Sequence, residues 1–187
     1  GLFTVVKRLG ATDRINDLRE IKIGALRKPD EEEFVNELLL EKTGGKPGKE
    51  LMKYILEKIE WRIPFYFQLL VKEMSDLIIY DKEPWTEKTV DNAFAKVVEN
   101  GNIYFEHFKS RLSKPFENEP LGFVLEFLTV LKSRDTLDYS DIINMAEKYN
   151  IRKQTDDILE ILKYDGYIVE ENKRFRFYSP ILKRWWK

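Results

Sequence analysis

The sequence predicts a mainly α fold, a helical bundle followed by further helices and a small β-ribbon, and three observations carry that prediction. Apolar residues recur at three- and four-residue spacing through most of residues 29–164. Prolines and glycines fall between those periodic runs, where helices start and stop. After Gly166 the composition turns to that of strands: Tyr167, Ile168 and Val169, a polar turn from Glu170 to Arg174, then Phe175, Arg176, Phe177 and Tyr178.

The elements follow in order. Residues 1–28 hold a short apolar helix candidate, Leu2 to Leu9, a turn, and a strand-like segment, Leu18 to Ile23. From Pro29 to Leu40 the pattern is helical, with Asp30 as cap, Glu31 to Glu33 suiting the first-turn dipole and Phe34, Val35, Leu38 and Leu39 on one face. A second helix spans about Lys49 to Trp61, with Leu51, Tyr54, Ile55, Lys58 and Ile59 in register. Pro64 opens a third, the most apolar, reaching about Ile79, and helices at Thr86 to Val98 and Tyr104 to Leu112 complete the bundle. The expected division is 1–28, 29–117 and 118–187.

Pro115 and Pro120 bracket a linker, and a new set of helices begins with Gly122 to Lys132. Asp138-Tyr-Ser-Asp141 caps Ile142 to Tyr149, Asn150 makes a tight turn, and Arg152 to Tyr164 forms the next helix. Gly166 suits a helix C-cap, and Ser179-Pro180 suits the start of a closing helix. Three helices and a two-stranded ribbon in this order predict a winged helix-turn-helix.

Composition narrows the function classes. The 187 residues carry 32 basic and 33 acidic side chains, so any electropositive surface is local. Cysteine is absent, which excludes disulfides and zinc fingers. His107 is the only histidine, which leaves no His cluster for a metal and no Ser-His-Asp triad. No apolar run approaches the ~20 residues that span a bilayer, and a cytoplasmic protein fits best. Gly44-Gly45-Lys46-Pro47-Gly48-Lys49 superficially suggests a phosphate loop, but the spacing is wrong and Pro47 has no N–H to donate, so a solvated loop is the reading. Glu31 to Glu33 read as a solvated helix face.

At Glu60-Trp-Arg-Ile-Pro-Phe-Tyr-Phe-Gln-Leu-Leu70, Tyr164-Asp-Gly-Tyr-Ile168 and Phe177-Tyr-Ser-Pro-Ile-Leu-Lys-Arg-Trp-Trp186, the sequence resembles the C-terminal portion of prokaryotic AAA+ and STAND-like (archaeal-type) P-loop ATPases. The resemblance implies that residues 1–28 are the last helix and strand of a nucleotide-binding core, 29–117 a lid and 118–187 a winged helix. It implies ATP and magnesium as cofactors of an intact parent ATPase, with none expected on this chain alone, which has no Walker A or Walker B segment and is not catalytic by itself. In the family, a proline at the start of a lid helix touches the adenine. Pro64 matches it, and Arg62 stands where a glycine is usual. Arg62 is also the candidate sensor of the γ-phosphate, and Arg14 the candidate arginine finger. A helix-start proline that only directs the chain, and two solvated arginines, are the alternatives.

The winged helix is the other candidate site. Arg152, Lys153, Gln154 and Thr155 would point toward base edges, and Lys173, Arg174 and Arg176 on the wing toward phosphates. Asp156 and Asp157 oppose that use, which leaves double-stranded DNA and a protein effector both open as partners. Trp185 and Trp186 are expected to close the core rather than to anchor a partner. The alternatives to a nucleotide-coupled module are a stand-alone winged-helix DNA-binding regulator and a protein-interaction module.

Overall fold

A computed structural model of the chain describes residues 26–99 and 103–186. The division expected at 1–28, with the Arg14 candidate, lies almost wholly outside the described residues. What is described is mainly helical with one small three-stranded antiparallel sheet, in two compact units, 26–99 and 103–186.

The first unit holds four helices: α1 (Lys28–Thr43), α2 (Lys49–Ile59), α3 (Pro64–Ile79) and α4 (Glu87–Val97). Helix α3 is the hub. It buries Phe67, Leu70, Val71 and Met74, and it packs on α1 and α4. The Phe34 ring meets Phe67 edge-on at 6.5 Å. Helix α1 buries Val35 and Leu39, α2 buries Met52, Ile55 and Ile59, and α4 buries Val90, Ala93 and Val97. Thr86 caps α4 by accepting from the Thr89 amide at 3.3 Å. Asp30 is not the cap of α1: Arg27 holds that position, Asp30 lies in the first turn, and its carboxylate accepts from Arg27 Nε at 3.2 Å. Gly44 ends α1 with φ of 71°, the left-handed region that glycine enters without strain.

The second unit runs α5 (Ile103–Arg111), α6 (Asn118–Arg134), β1 (Leu137–Asp138), α7 (Tyr139–Lys148), a 3₁₀ turn (Arg152–Gln154), α8 (Thr155–Tyr164), β2 (Ile168–Glu171), β3 (Arg174–Phe177) and α9 (Pro180–Trp185). Helix α5, expected with the preceding helices, groups instead with the C-terminal unit, because Phe105 stacks on Trp185 at 5.6 Å and Phe108 meets Tyr167 edge-on at 6.1 Å. Helix α6 starts at Asn118, earlier than the expected Gly122, because Pro120 sits in its first turn, where a missing N–H costs no helical bond.

The sheet order is β1-β3-β2, and the two-residue β1 is an element that sequence periodicity does not resolve. Leu137 pairs with Phe175, and Ile168 with Phe177. These four side chains are buried, while Arg174 is exposed and Arg176 half-buried on the opposite face. Asn172 and Lys173, with φ of 51° and 62°, make the tight turn that joins β2 to β3. Asp138 caps α7 through the Asp141 amide at 2.9 Å, and Ser179 caps α9 through the Leu182 amide at 3.1 Å. Trp185 and Trp186 are both buried in this core, and Trp186 Nε1 donates to Thr129 at 3.3 Å.

Candidate functional site

In the first unit the candidate residues sit on the loop from α2 to α3. Ile59 ends α2, Glu60 turns the chain with φ of 49°, and Ile63 is extended ahead of Pro64, the first residue of α3. The carbonyl of Arg62 accepts from the amide of Leu26 at 2.7 Å, which holds the loop beside the segment leading into α1. Its side chain forms an ion pair with Glu31. Glu31 was expected on a solvated face. It is instead buried, with 5% of its side chain exposed against 40% for Arg62. Its place in the first turn of α1 adds the positive end of the helix dipole to the guanidinium, and together these offset the cost of burying a carboxylate.

Beside this pair a cleft of about 590 Å³ opens between α1, α2 and Arg62. Lys28, Glu31, Lys49, Met52, Lys53 and Arg62 are among its walls. Pro64 is half-buried and does not line it. Arg62 and Pro64 are two residues apart, but only Arg62 lines this cleft.

In the second unit the residues singled out on α8 and the ribbon divide into engaged and exposed groups. Arg152 pairs with Glu147 at 2.5 Å, and Lys163 with Glu170 at 3.2 Å. Arg176 grips Glu171 with two nitrogens, at 3.0 and 2.7 Å, and these hydrogen bonds hold the Glu171 carboxyl below the usual range. Arg174 reaches Thr136 at 3.5 Å. Thr155 is not available to any ligand: it is fully buried and its hydroxyl donates to the Ile151 carbonyl at 3.3 Å. Lys153, Gln154 and Lys173 are exposed. So are Asp156, Asp157 and Glu160 on the same helix, and Asp156 accepts from the Tyr139 hydroxyl at 2.7 Å. That bond keeps the proton on Tyr139 and raises its pKa.

No family model, curated protein or solved structure gives a significant match to this chain.

Among the described residues no three His, Asp or Glu side chains are grouped to hold a metal ion. His107 is exposed on α5. No described helix is long and apolar enough to cross a membrane. The feature that sequence reading missed is Glu31, and only its position at a helix start opposite an arginine loop hints at it.

Proposed function

We propose that this chain is the lid and winged-helix part of a cytoplasmic, prokaryotic AAA+ or STAND-like ATPase, in which nucleotide state is coupled to a protein partner through the winged helix. The observation that carries this reading is the order of elements in the second unit. Helix, short strand, two helices and a two-stranded ribbon, with β3 between β1 and β2, is an order that supports a winged-helix reading. It follows a helical unit whose proline-started α3 lies directly after the loop bonded to Leu26.

Arg62 and Pro64 are the residues of this chain that would meet ATP, with magnesium held by the core of the intact protein. ATP binding would supply the free energy that changes the angle between lid and core. Arg62 is engaged by Glu31 and would have to exchange that partner to reach a γ-phosphate. Measuring ATP-analogue affinity in the protein with its nucleotide-binding core tests the reading: Pro64→Ala is expected to weaken binding by about tenfold, and unchanged affinity overturns it. The chain by itself is expected not to hydrolyse ATP, and magnesium-dependent turnover by the purified chain would contradict the assignment.

The charge pattern favours protein over DNA as the partner. Arg152, Lys163 and Arg176 each have a carboxylate partner, and α8 presents Asp156, Asp157 and Glu160 where a DNA-reading helix would meet phosphates. A second reading, a stand-alone winged-helix DNA-binding regulator, draws on the exposed Lys153, Gln154 and Lys173. Labelled mixed-sequence duplex at two salt concentrations separates them. The expected result is no binding even at low salt. Salt-dependent binding that Arg152→Ala/Lys153→Ala weakens would establish DNA as the partner.

A further inference from the structure

The cleft beside Arg62 collects cations from three separate pieces of backbone. Lys28 is the first residue of α1, Lys49 the first of α2, Lys53 stands one turn further along α2, and Arg62 comes from the following loop. Such convergence is not produced by the periodicity of one helix. Lys28 and Lys49 have no ion-pair partner among the described residues. Lys53 has only Glu57, at 3.9 Å with both side chains about two-thirds exposed, a pairing too weak to hold it.

Three acidic residues, Glu31, Glu32 and Glu57, line the cleft with the four cations and leave the cations in excess by one. Glu31 is the buried one, and its charge is engaged by Arg62. Its effect is to fix the guanidinium at the wall, so that a ligand need not order that side chain. Glu32 and Glu57 are exposed to solvent. Met52 and Leu56 give the cleft an apolar part. Lys49, the first residue of α2, lines the cleft, and the N-cap Gly48 supplies no side-chain acceptor for the first amides of that helix. At about 590 Å³ the space is within the range of small-molecule sites.

We infer that this cleft is a binding site for a phosphate-bearing ligand, its phosphates held by Lys28, Lys49 and Lys53 against the guanidinium of Arg62. Every residue of the site lies in the first unit, so the site stands whether or not a nucleotide-binding core accompanies this chain. The arrangement suits a chain of phosphates better than a single one, because Lys49 and Lys53 are one helical turn apart and Lys28 and Arg62 come from other elements.

The test uses inorganic tripolyphosphate, which has no nucleobase and therefore reports nothing about Pro64. Titrated into ¹⁵N-labelled chain, it is expected to give saturable amide shifts centred on Lys49 to Lys53 and Arg62, with affinity falling as salt rises. In Lys49→Ala/Lys53→Ala the dissociation constant should rise at least about tenfold, since two charge-assisted contacts are lost. Both lysines are exposed, so the variant keeps its fold, which its thermal melt verifies. Lys173→Ala, on the wing, should bind as the unaltered chain does. The site is overturned by an absence of saturation, by an equal dissociation constant in the double variant, or by shifts centred on Lys173 and Arg174.

Discussion

The hydroxyl of Tyr167 donates to the backbone carbonyl of Phe108 at 2.5 Å, joining the start of the ribbon to a helix 59 residues earlier. Tyr167 is buried, and burial pushes its pKa up to about 12. The bond and the edge-on contact with the Phe108 ring account for α5 belonging to the second unit.

Tyr167→Phe removes the donor and leaves a carbonyl without it, which should lower stability by about 1–2 kcal/mol in denaturant unfolding. The pH dependence has a definite sign. A folded-state pKa raised above the ordinary 10.0 means that the unfolded chain loses this proton first, so the contribution is complete below pH 10 and is lost as pH rises toward 12. Ultraviolet titration of the tyrosines should show one late group that Tyr167→Phe removes.

Glu31 and Arg62 predict asymmetric losses. Arg62→Ala leaves a carboxylate buried alone and should cost about 2 kcal/mol, less than the 3–5 typical of a fully buried pair, because 40% of the Arg62 side chain is exposed. Glu31→Leu/Arg62→Met, which removes both charges, should unfold at a denaturant concentration close to that of the unaltered chain. A loss in the double variant equal to the sum of the losses in Glu31→Leu and Arg62→Met would mean that the pair has no energetic coupling.

Gly122 faces the ring of Tyr149, and a Cβ there would lie 2.9 Å from its Cε1. The ring has little room to yield, since its hydroxyl donates to Glu126 at 2.6 Å and Phe123 meets it edge-on at 6.2 Å. Gly122→Ala gains about 1 kcal/mol of helix propensity but should still be net destabilising by about 1 kcal/mol. Adding Tyr149→Ala should reverse the sign of the Gly122→Ala effect, measured as the change in unfolding midpoint.

Lys58 sits between Tyr54 and Asp91, 2.5 Å from the carboxylate and over the Tyr54 and Phe94 rings at 5.5 and 5.4 Å. Hydrogen bonds from Lys58 and then Tyr54 hold the Asp91 carboxyl below its ordinary pKa. A lowered pKa gives stability that is present above the ordinary value and lost as pH falls through the folded-state value. Asp91→Asn should therefore cost about 0.5 kcal/mol at pH 7, a figure already reduced for solvent screening, and the difference should disappear in strong acid. Melting temperatures of the two proteins across pH 2 to 7 would check it.

The parts of the fold that were legible in the sequence rest on local chemistry. Thr86, Asp138 and Ser179 each cap the helix that follows them through a bond made within three residues. The polar turn between β2 and β3 is equally local, whereas Gly166, expected as the C-cap of α8, follows the Asp165 C-cap and takes the left-handed φ of 78°. What was not legible depends on distant partners. Glu31 has the same immediate neighbours as a solvated glutamate, and its ion-pair partner, Arg62, comes from another loop. The strand β1 is too short for any alternation and exists because Phe175 and Arg174 supply its ladder. Thr155 looks like a groove-facing donor until the Ile151 carbonyl takes its hydroxyl.

The bond from the Leu26 amide to the Arg62 carbonyl turns two segments into one mechanical part. A displacement applied at Leu26 reaches Arg62 through a single 2.7 Å link, and the next two residues are Ile63 and the rigid Pro64 at the head of α3. The segment that enters α1 and the residues that start α3 are thereby cross-linked by one backbone bond, so that neither shifts without breaking it or carrying the other along.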